Sequence, residues 1–258
     1  MTTFLSPLPR VNRDPELAFI AQMARGEIET RIALIQAVSG MGKSELVREF
    51  EHRCPDNVHQ VIVDFKGGSL SLAFVFFHIC DTLGWSHFQT LARTIQRLLN
   101  PANINVTGNL MWGQNDINIA LNAPDEQTRD LRRADLTNAL FIDLRALGRV
   151  ALIFDTFEQC ESTVQSWIVS AFLPAAHRSP NLSIIISGQI SPERSTMWEC
   201  HFIELEPITP DHWHNYARAI GAILSLEQIE QCCKNCKGIS IEIANVIGIF
   251  APRRLIHE

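Results

Sequence analysis

The sequence predicts an α/β fold: a five-stranded, mainly parallel sheet flanked by helices. Three observations carry that prediction. Short apolar runs rich in β-branched residues recur at 32–36, 60–65, 150–154, 182–187 and 202–205. The first four lack strict alternation of apolar and polar positions, as strands buried on both faces do. Helix-period stretches stand between the runs, and strands that alternate with helices form a parallel sheet with both faces covered.

Each element has a local reason. Asp14 reads as an N-cap with Pro15 at the first helical position, opening an amphipathic helix through Ala24. The run at 32–36 leads into a glycine-bearing turn, then a helix over 43–53 stopped by Pro55. After the second run comes a helix over 70–83. Between about 100 and 125 the rhythm breaks: Ile104, Asn105 and Val106, then Ile117 to Asn122, alternate apolar residues with asparagine. That period of two predicts an inserted, half-exposed β-hairpin, whose asparagine face and Trp112 are either a solvated decoration or a partner contact. Leu136, Leu140, Leu144 and Leu147 mark a helix over 129–147, and a further helix over 162–173 stops at Pro174. Beyond the last strand three helices follow. Thr209 caps the first, which runs through Trp213, Tyr216 and Ile220 to Gly221; the others span 225–237 and 240–250. The expected organisation is a main domain over 1–206 and a small helical subdomain over 207–258.

Composition narrows the function classes. The chain of 258 residues is long enough for a full core, and 46% hydrophobic with 19% charged residues is a globular balance. A formal charge of −6 argues against bulk attraction to nucleic acid. No run approaches the ~20 apolar residues that span a bilayer. The first residues lack a basic segment followed by a long apolar one, which predicts a cytoplasmic protein. Seven cysteines, an odd number in apolar surroundings, read as reduced thiols. Cys232, Cys233 and Cys236 cluster without further ligands at zinc spacing, and read as helix-packing thiols. His212 and His214 are two apart, on different helix faces, which argues against a metal pair.

The chemistry concentrates in two stretches. Ala37, Val38, Ser39, Gly40, Met41, Gly42, Lys43 and Ser44 follow a strand and open a helix at Glu45. A phosphate needs backbone N–H groups converging from a tight loop, and Gly40 and Gly42 let the backbone come close. Lys43 would place an ammonium on the β- and γ-phosphates, and the Ser44 hydroxyl would take one Mg²⁺ position. The second stretch, Val150 to Glu158, delivers Asp155 at a strand's C-terminal end, where open α/β sheets bind ligands. Asp155 is the candidate Mg²⁺ carboxylate and Glu158 the candidate base for the attacking water. Gln189, just past the fourth strand, is placed to sense the γ-phosphate. Arg178 and Arg194, flanking that strand, are candidate arginine fingers, in cis or from a neighbouring subunit.

On these motifs the chain resembles the STAND branch of P-loop NTPases, relatives of AAA+ proteins and NB-ARC switch domains, bacterial type. Ala37 to Ser44 match the Walker A loop, and Leu152 to Glu158 resemble a Walker B strand ending Asp–Thr–Phe–Glu. Val11 to Leu17 are similar to the apolar–Gly–Arg–Glu motif that lies against adenine, with Asn12 in place of glycine. Leu205 to Pro210 are like the segment that opens the family's helical lid. Gly238, Ile239 and Ser240 fall where a Gly–x–Pro motif contacts nucleotide, the proline being replaced, and Gln189 stands where an arginine sensor is common. The resemblance implies ATP and Mg²⁺ as cofactors, with Asn12, Arg13, Val38, Ser39, Gly40, Met41, Gly42, Lys43, Ser44, Glu45 and Gln189 around the nucleotide. It implies a switch for signalling or defence, closed with ADP and open with ATP, that oligomerises with its own copies and works with effector and sensor domains or proteins. Neither of those is visible here, which reads as a piece of a longer protein or as partners on separate chains. ATP is expected over GTP because no Asn–Lys–x–Asp motif occurs. Two alternatives stand beside the switch: an AAA+-like motor or loader with continuous turnover, and a scaffold that binds nucleotide without cleaving it.

Overall fold

Five strands pair only in parallel: β1 (Ile32–Gln36), β2 (Val58–Asp64), β3 (Arg149–Asp155), β4 (Leu182–Gly188) and β5 (His201–Glu204). Their order is β2-β3-β4-β1-β5, so β4 separates the strand before the glycine turn from the strand that ends in Asp155. The computed structural model describes residues 13–68, 70–99, 113–193 and 195–251. The hairpin's first half, Trp112, Asn12 and Arg194 lie outside them.

Alternate residues of the central strands enter different cores, which is why their runs are continuously apolar. On one face Ala33, Ile35, Ala151, Ile153 and Ile185 meet Leu17, Ile20 and Met23 of α1 (Asp14–Arg25) and Leu46, Val47 and Phe50 of α2 (Lys43–Arg53). On the other, Leu34, Leu152, Phe154, Ile184 and Ile186 pack with Phe76 of α3 (Leu72–Leu83), Leu140 and Phe141 of α6 (Glu126–Ala146), and Trp167 of α7 (Ser162–Trp167). Trp167 also donates to Thr137 Oγ1 at 2.9 Å, which satisfies its one polar atom inside that core. Both edge strands differ: β2 alternates, with Val61 and Val63 buried and Asp64 exposed, and β5 has four residues.

The structure corrects three local expectations. Residues 114–121 form a helix, α5 (Gln114–Leu121), instead of a hairpin strand. The helix sends Ile117 and Ala120, with Leu121, into the core beside α3, α6 and the amphipathic α4 (Gln89–Leu99), and leaves Ile119 exposed. Burying that i, i+3, i+4 face outweighed the period-two pattern. Pro174 does not stop the helix after β3. α7 passes through one π-helical turn, Ile168–Phe172, into α8 (Leu173–His177), with Pro174 near the start of α8. Widening the ladder by one residue accommodates a proline that lacks an N–H. Asp14 is the first residue of α1, with Arg13 at the cap position.

After β5 the chain forms α9 (Pro210–Ala219), α10 (Leu226–Asn235) and α11 (Ser240–Ile249). Trp213, Ala217, Ile229, Ile243 and Ile247 give these helices a core of their own. Ser225 caps α10 through a reciprocal bond pair with Gln228.

Candidate functional site

The turn after β1 bends tightly because two of its residues are glycines in the left-handed region, Gly40 at φ 83° and Gly42 at φ 92°. Gly42 caps α2, whose first N–H groups have no partners within the helix and point out of its N-terminus. Lys43 folds back over this loop. Its ammonium donates to Ala37 O at 2.7 Å and to Val38 O at 3.1 Å, and the side chain is 9% exposed. Burial pushes the Lys43 pKa down, while the negative charges of Glu158 and Asp155 push it up. Those two carboxylates, over a hundred residues away in sequence, therefore lie close enough for their charges to act on the lysine. The sequence reading required this convergence.

The tips of β1, β4 and β3 join through short links. Ala37 N donates to Gly188 O at 3.3 Å, so the lysine loop is tied to the end of β4. Glu158 lies over the same strand end. Its Oε2 accepts from Gln189 N at 2.8 Å and its Oε1 from Gln189 Nε2 at 3.1 Å. A Cβ on Gly188 would come within 2.7 Å of Glu158 Oε2 and 2.8 Å of Ile190 O, so only glycine lets the carboxylate sit there. Gln36 completes the network, donating to Gln189 O at 3.1 Å and accepting from Ser191 at 2.9 Å.

Asp155 is 4% exposed and its Oδ1 has no hydrogen-bond partner. The hydroxyl of Ser187, one residue before Gly188 on the adjoining strand, is also buried and unpartnered. Buried polar atoms are nearly always paired, so two such oxygens at neighbouring strand tips suit a polar ligand. With the Ser44 hydroxyl at the first turn of α2, the donor set is hard oxygen, the type a hydrated Mg²⁺ takes. Among the described residues, no group of three or more His, Cys, Asp or Glu side chains could enclose a metal.

The helices after β5 touch the glycine turn directly. Ile241 N donates to Gly40 O at 3.0 Å, and a Cβ on Gly40 would lie 2.8 Å from methyl carbons of Ile239 and Ile241. Gly238 is similarly pressed against Pro207. Gly40→Ala therefore combines left-handed strain with a clash, about 1–3 kcal/mol for the strain alone. It should lower Tm by several degrees, at roughly 2–4 °C per kcal/mol for a chain this size. Thermal melts followed by circular dichroism check this; an unchanged Tm would mean that the contact does not form.

Several of the residues singled out in the sequence have partners within the protein. Arg13 Nη2 donates to Met41 O at 3.3 Å and to Glu206 O at 2.9 Å, and Nη1 pairs with Glu16 at 3.2 Å, while its Nε is buried without a partner. It thus ties the glycine turn to the point where β5 hands over to α9. Gln189 is engaged with Glu158. Arg178 is exposed and precedes β4, at the end of the sheet opposite Gly188, so it cannot serve as a finger in cis. His212 Nδ1 pairs with Thr209 Oγ1 at 2.7 Å. Burial first, then the neighbouring Cys236 and Cys233, push the Cys232 thiol up to about 11, which keeps it protonated at neutral pH. Gln36, Ser187, Gly188 and Ser191 escaped the sequence reading. Their one signal was position at strand ends.

No family model matches this chain, and no curated protein matches it in sequence. Its fold is that of P-loop ATPases of known structure. It is similar to a Walker-type ATPase of Pyrococcus abyssi, at 15% identity and a TM-score of 0.52, over 94% of this chain and 70% of the other. A signal transduction ATPase with numerous domains from Pyrococcus horikoshii, which carries a tetratricopeptide-repeat sensor, aligns at 16% identity and TM-score 0.54 over 94% of this chain. This chain spans 30% of that protein's length. Cdc6p of Pyrobaculum aerophilum aligns at 13% identity and TM-score 0.53, over 93% of this chain and 62% of the other.

Proposed function

We propose that this chain is an ATP-binding module that hydrolyses slowly and works as a nucleotide-dependent switch. The observation that carries the reading is that the charges of Glu158 and Asp155 act on Lys43 where the tips of β1, β4 and β3 are tied together. In this reading the loop from Val38 to Ser44 cradles the phosphates, Lys43 neutralises the β- and γ-phosphates, and Ser44 and Asp155 hold Mg²⁺. The cation, when bound, offsets negative charge on the triphosphate. Glu158 orients and deprotonates the attacking water.

Slow turnover follows from the state of that base. Both Glu158 oxygens are held by Gln189, so general-base work requires the pair to part. Gln189→Ala removes the side-chain half of the clamp and should raise unstimulated hydrolysis severalfold, on the order of one hydrogen bond's worth of restraint. Steady-state phosphate release measures it, and a rate at or below wild type would count against restraint by Gln189. The helices α9 to α11 act as a lid: their contacts with Gly40, and Arg13 at the hinge, give nucleotide state a route to lid position. Effector and sensor partners, and assembly with further copies, belong to the same proposal. A cleft of about 440 Å³ beside Glu158, lined by Phe157, Val169, Ile190 and Pro192, leaves room there for a neighbour's side chain.

Cdc6p aligns as well as the STAND protein, at TM-score 0.53 against 0.54, so the likeness of fold does not favour the switch over the second reading, an AAA+-like motor or loader with continuous turnover. Nucleotide titration with steady-state hydrolysis separates the readings. Tight binding with slow turnover supports the switch; several turnovers per second without a trigger support the motor; neither binding nor hydrolysis removes both.

A further inference from the structure

The turn that carries Glu158 holds a backbone conformation its own sequence disfavours. Thr156 lies at φ 57°, ψ 41°, in the left-handed region. For a β-branched residue that is an outlier, and it persists only where the surroundings hold it. What holds it is visible. The Thr156 hydroxyl donates at 2.9 Å to Asp64 Oδ1, at the tip of the neighbouring strand β2. Asp64 pairs in register with Asp155, so its carboxylate stands directly beside the residue that precedes Thr156. The same oxygen accepts from Lys66 N at 2.9 Å, which fixes its orientation.

We propose that Asp64 is a positioning residue for Glu158, acting through Thr156. The left-handed residue turns the chain sharply out of β3. The 3₁₀ turn Phe157–Gln159 that follows then sets Glu158 over Gly188, where its charge acts on Lys43. With Thr156 in an extended or right-handed conformation, the chain would leave the strand in another direction and carry Glu158 away from the lysine. The rest of the turn has separate supports. Gly67 N donates to Gln159 Oε1 at 3.1 Å, and Gln165 Nε2 donates to Cys160 O at 3.0 Å and Phe157 O at 3.3 Å. None of these touches Thr156, whose own carbonyl accepts from Gln159 N at 2.9 Å within the turn. Asp64 is exposed, so the bond competes with water, and its loss should slow the reaction without abolishing it.

The inference rests on Glu158 as the base, and a mutant cycle tests it. Asp64→Ala should lower kcat for ATP about fivefold, the size of one hydrogen bond, and leave the affinity for a fluorescent ATP analogue within about twofold. Thr156→Val, which keeps the Asp64–Lys66 bond, should show the same loss. Glycine adopts the left-handed region without help. In a Thr156→Gly background, adding Asp64→Ala should therefore change kcat by less than about twofold. Thermal melts of the four proteins should show the same coupling: Asp64→Ala lowers Tm only where Thr156 is present. That second readout stands without catalysis, so a wild type that neither binds nor cleaves ATP would defeat the functional reading alone. An undiminished Asp64→Ala loss in the Thr156→Gly background would overturn the proposal. So would an Asp64→Ala protein that needs more Mg²⁺ to bind nucleotide, because Asp64 would then act at the cation.

Discussion

Lys43→Ala should weaken ATP binding roughly 10- to 100-fold, the range for losing charge-assisted hydrogen bonds of about 1.5–3 kcal/mol. The expectation comes from where the ammonium sits. It is buried inside the loop, held by the carbonyls of Ala37 and Val38 and within reach of the charges of two carboxylates. A triphosphate brought against the N-terminus of α2 would add strong negative charge beside those carboxylates, and Lys43 is the cation at that point. Alanine would also leave the Ala37 and Val38 carbonyls without their partner, so some loss of stability accompanies the loss of affinity. The two effects separate in one experiment. The thermal shift produced by ATP reports binding, since a ligand that binds only the folded state raises Tm. The Tm without nucleotide reports folding. An ATP-induced shift equal to that of wild type would remove Lys43 from the phosphate site.

Glu158→Gln should reduce kcat by roughly 10²–10⁴-fold, the usual contribution of a positioned base. Nucleotide affinity should stay within a few-fold, because the base acts on water and not on the phosphates. The structure adds a second expectation for the same variant. Gln189 offers Glu158 two donors, its backbone N–H and its side-chain amide. A carboxylate accepts both, whereas a carboxamide has one acceptor oxygen and an NH₂ that must face the other donor. The clamp is therefore weakened as the base is removed, and a modest fall in Tm should accompany the loss of turnover. Single-turnover hydrolysis with saturating ATP checks the first expectation. Unchanged hydrolysis would take the role of base away from Glu158 and leave its bond to Gln189 as a structural feature.

Much of the fold was legible because its signals are local or nearly so. The strand at 32–36, the helix at 43–53 and the leucine-rich helix before β3 follow from apolar period and from proline stops. Two of the misreadings show where local signals run out. Residues 117–122 alternate as a strand does, yet a groove between α3, α4 and α6 rewards the helical face that Ile117, Ala120 and Leu121 share. Pro174 is an ordinary stop signal until a π turn absorbs it. For α5, neighbours distant in sequence decided between two locally acceptable conformations; at Pro174 the widened turn immediately before it did.

The candidate site divides along the same line. Residue type and spacing alone singled out Lys43, Ser44, Asp155 and Glu158 as candidates, because phosphate and cation chemistry restricts which side chains serve and which strand ends offer them. Only the tertiary structure decided that β4 lies between the two motif strands, and that Gly188, Gln189 and Ser187 therefore stand between lysine and carboxylates. It also decided that Arg13 ties the glycine turn to the chain between β5 and α9 and that Asp64 reaches Thr156. The physical reason is range: backbone period and side-chain chemistry are written within a few residues. A hydrogen bond between strand tips exists only once parallel pairing has set the register of segments about thirty to ninety positions apart.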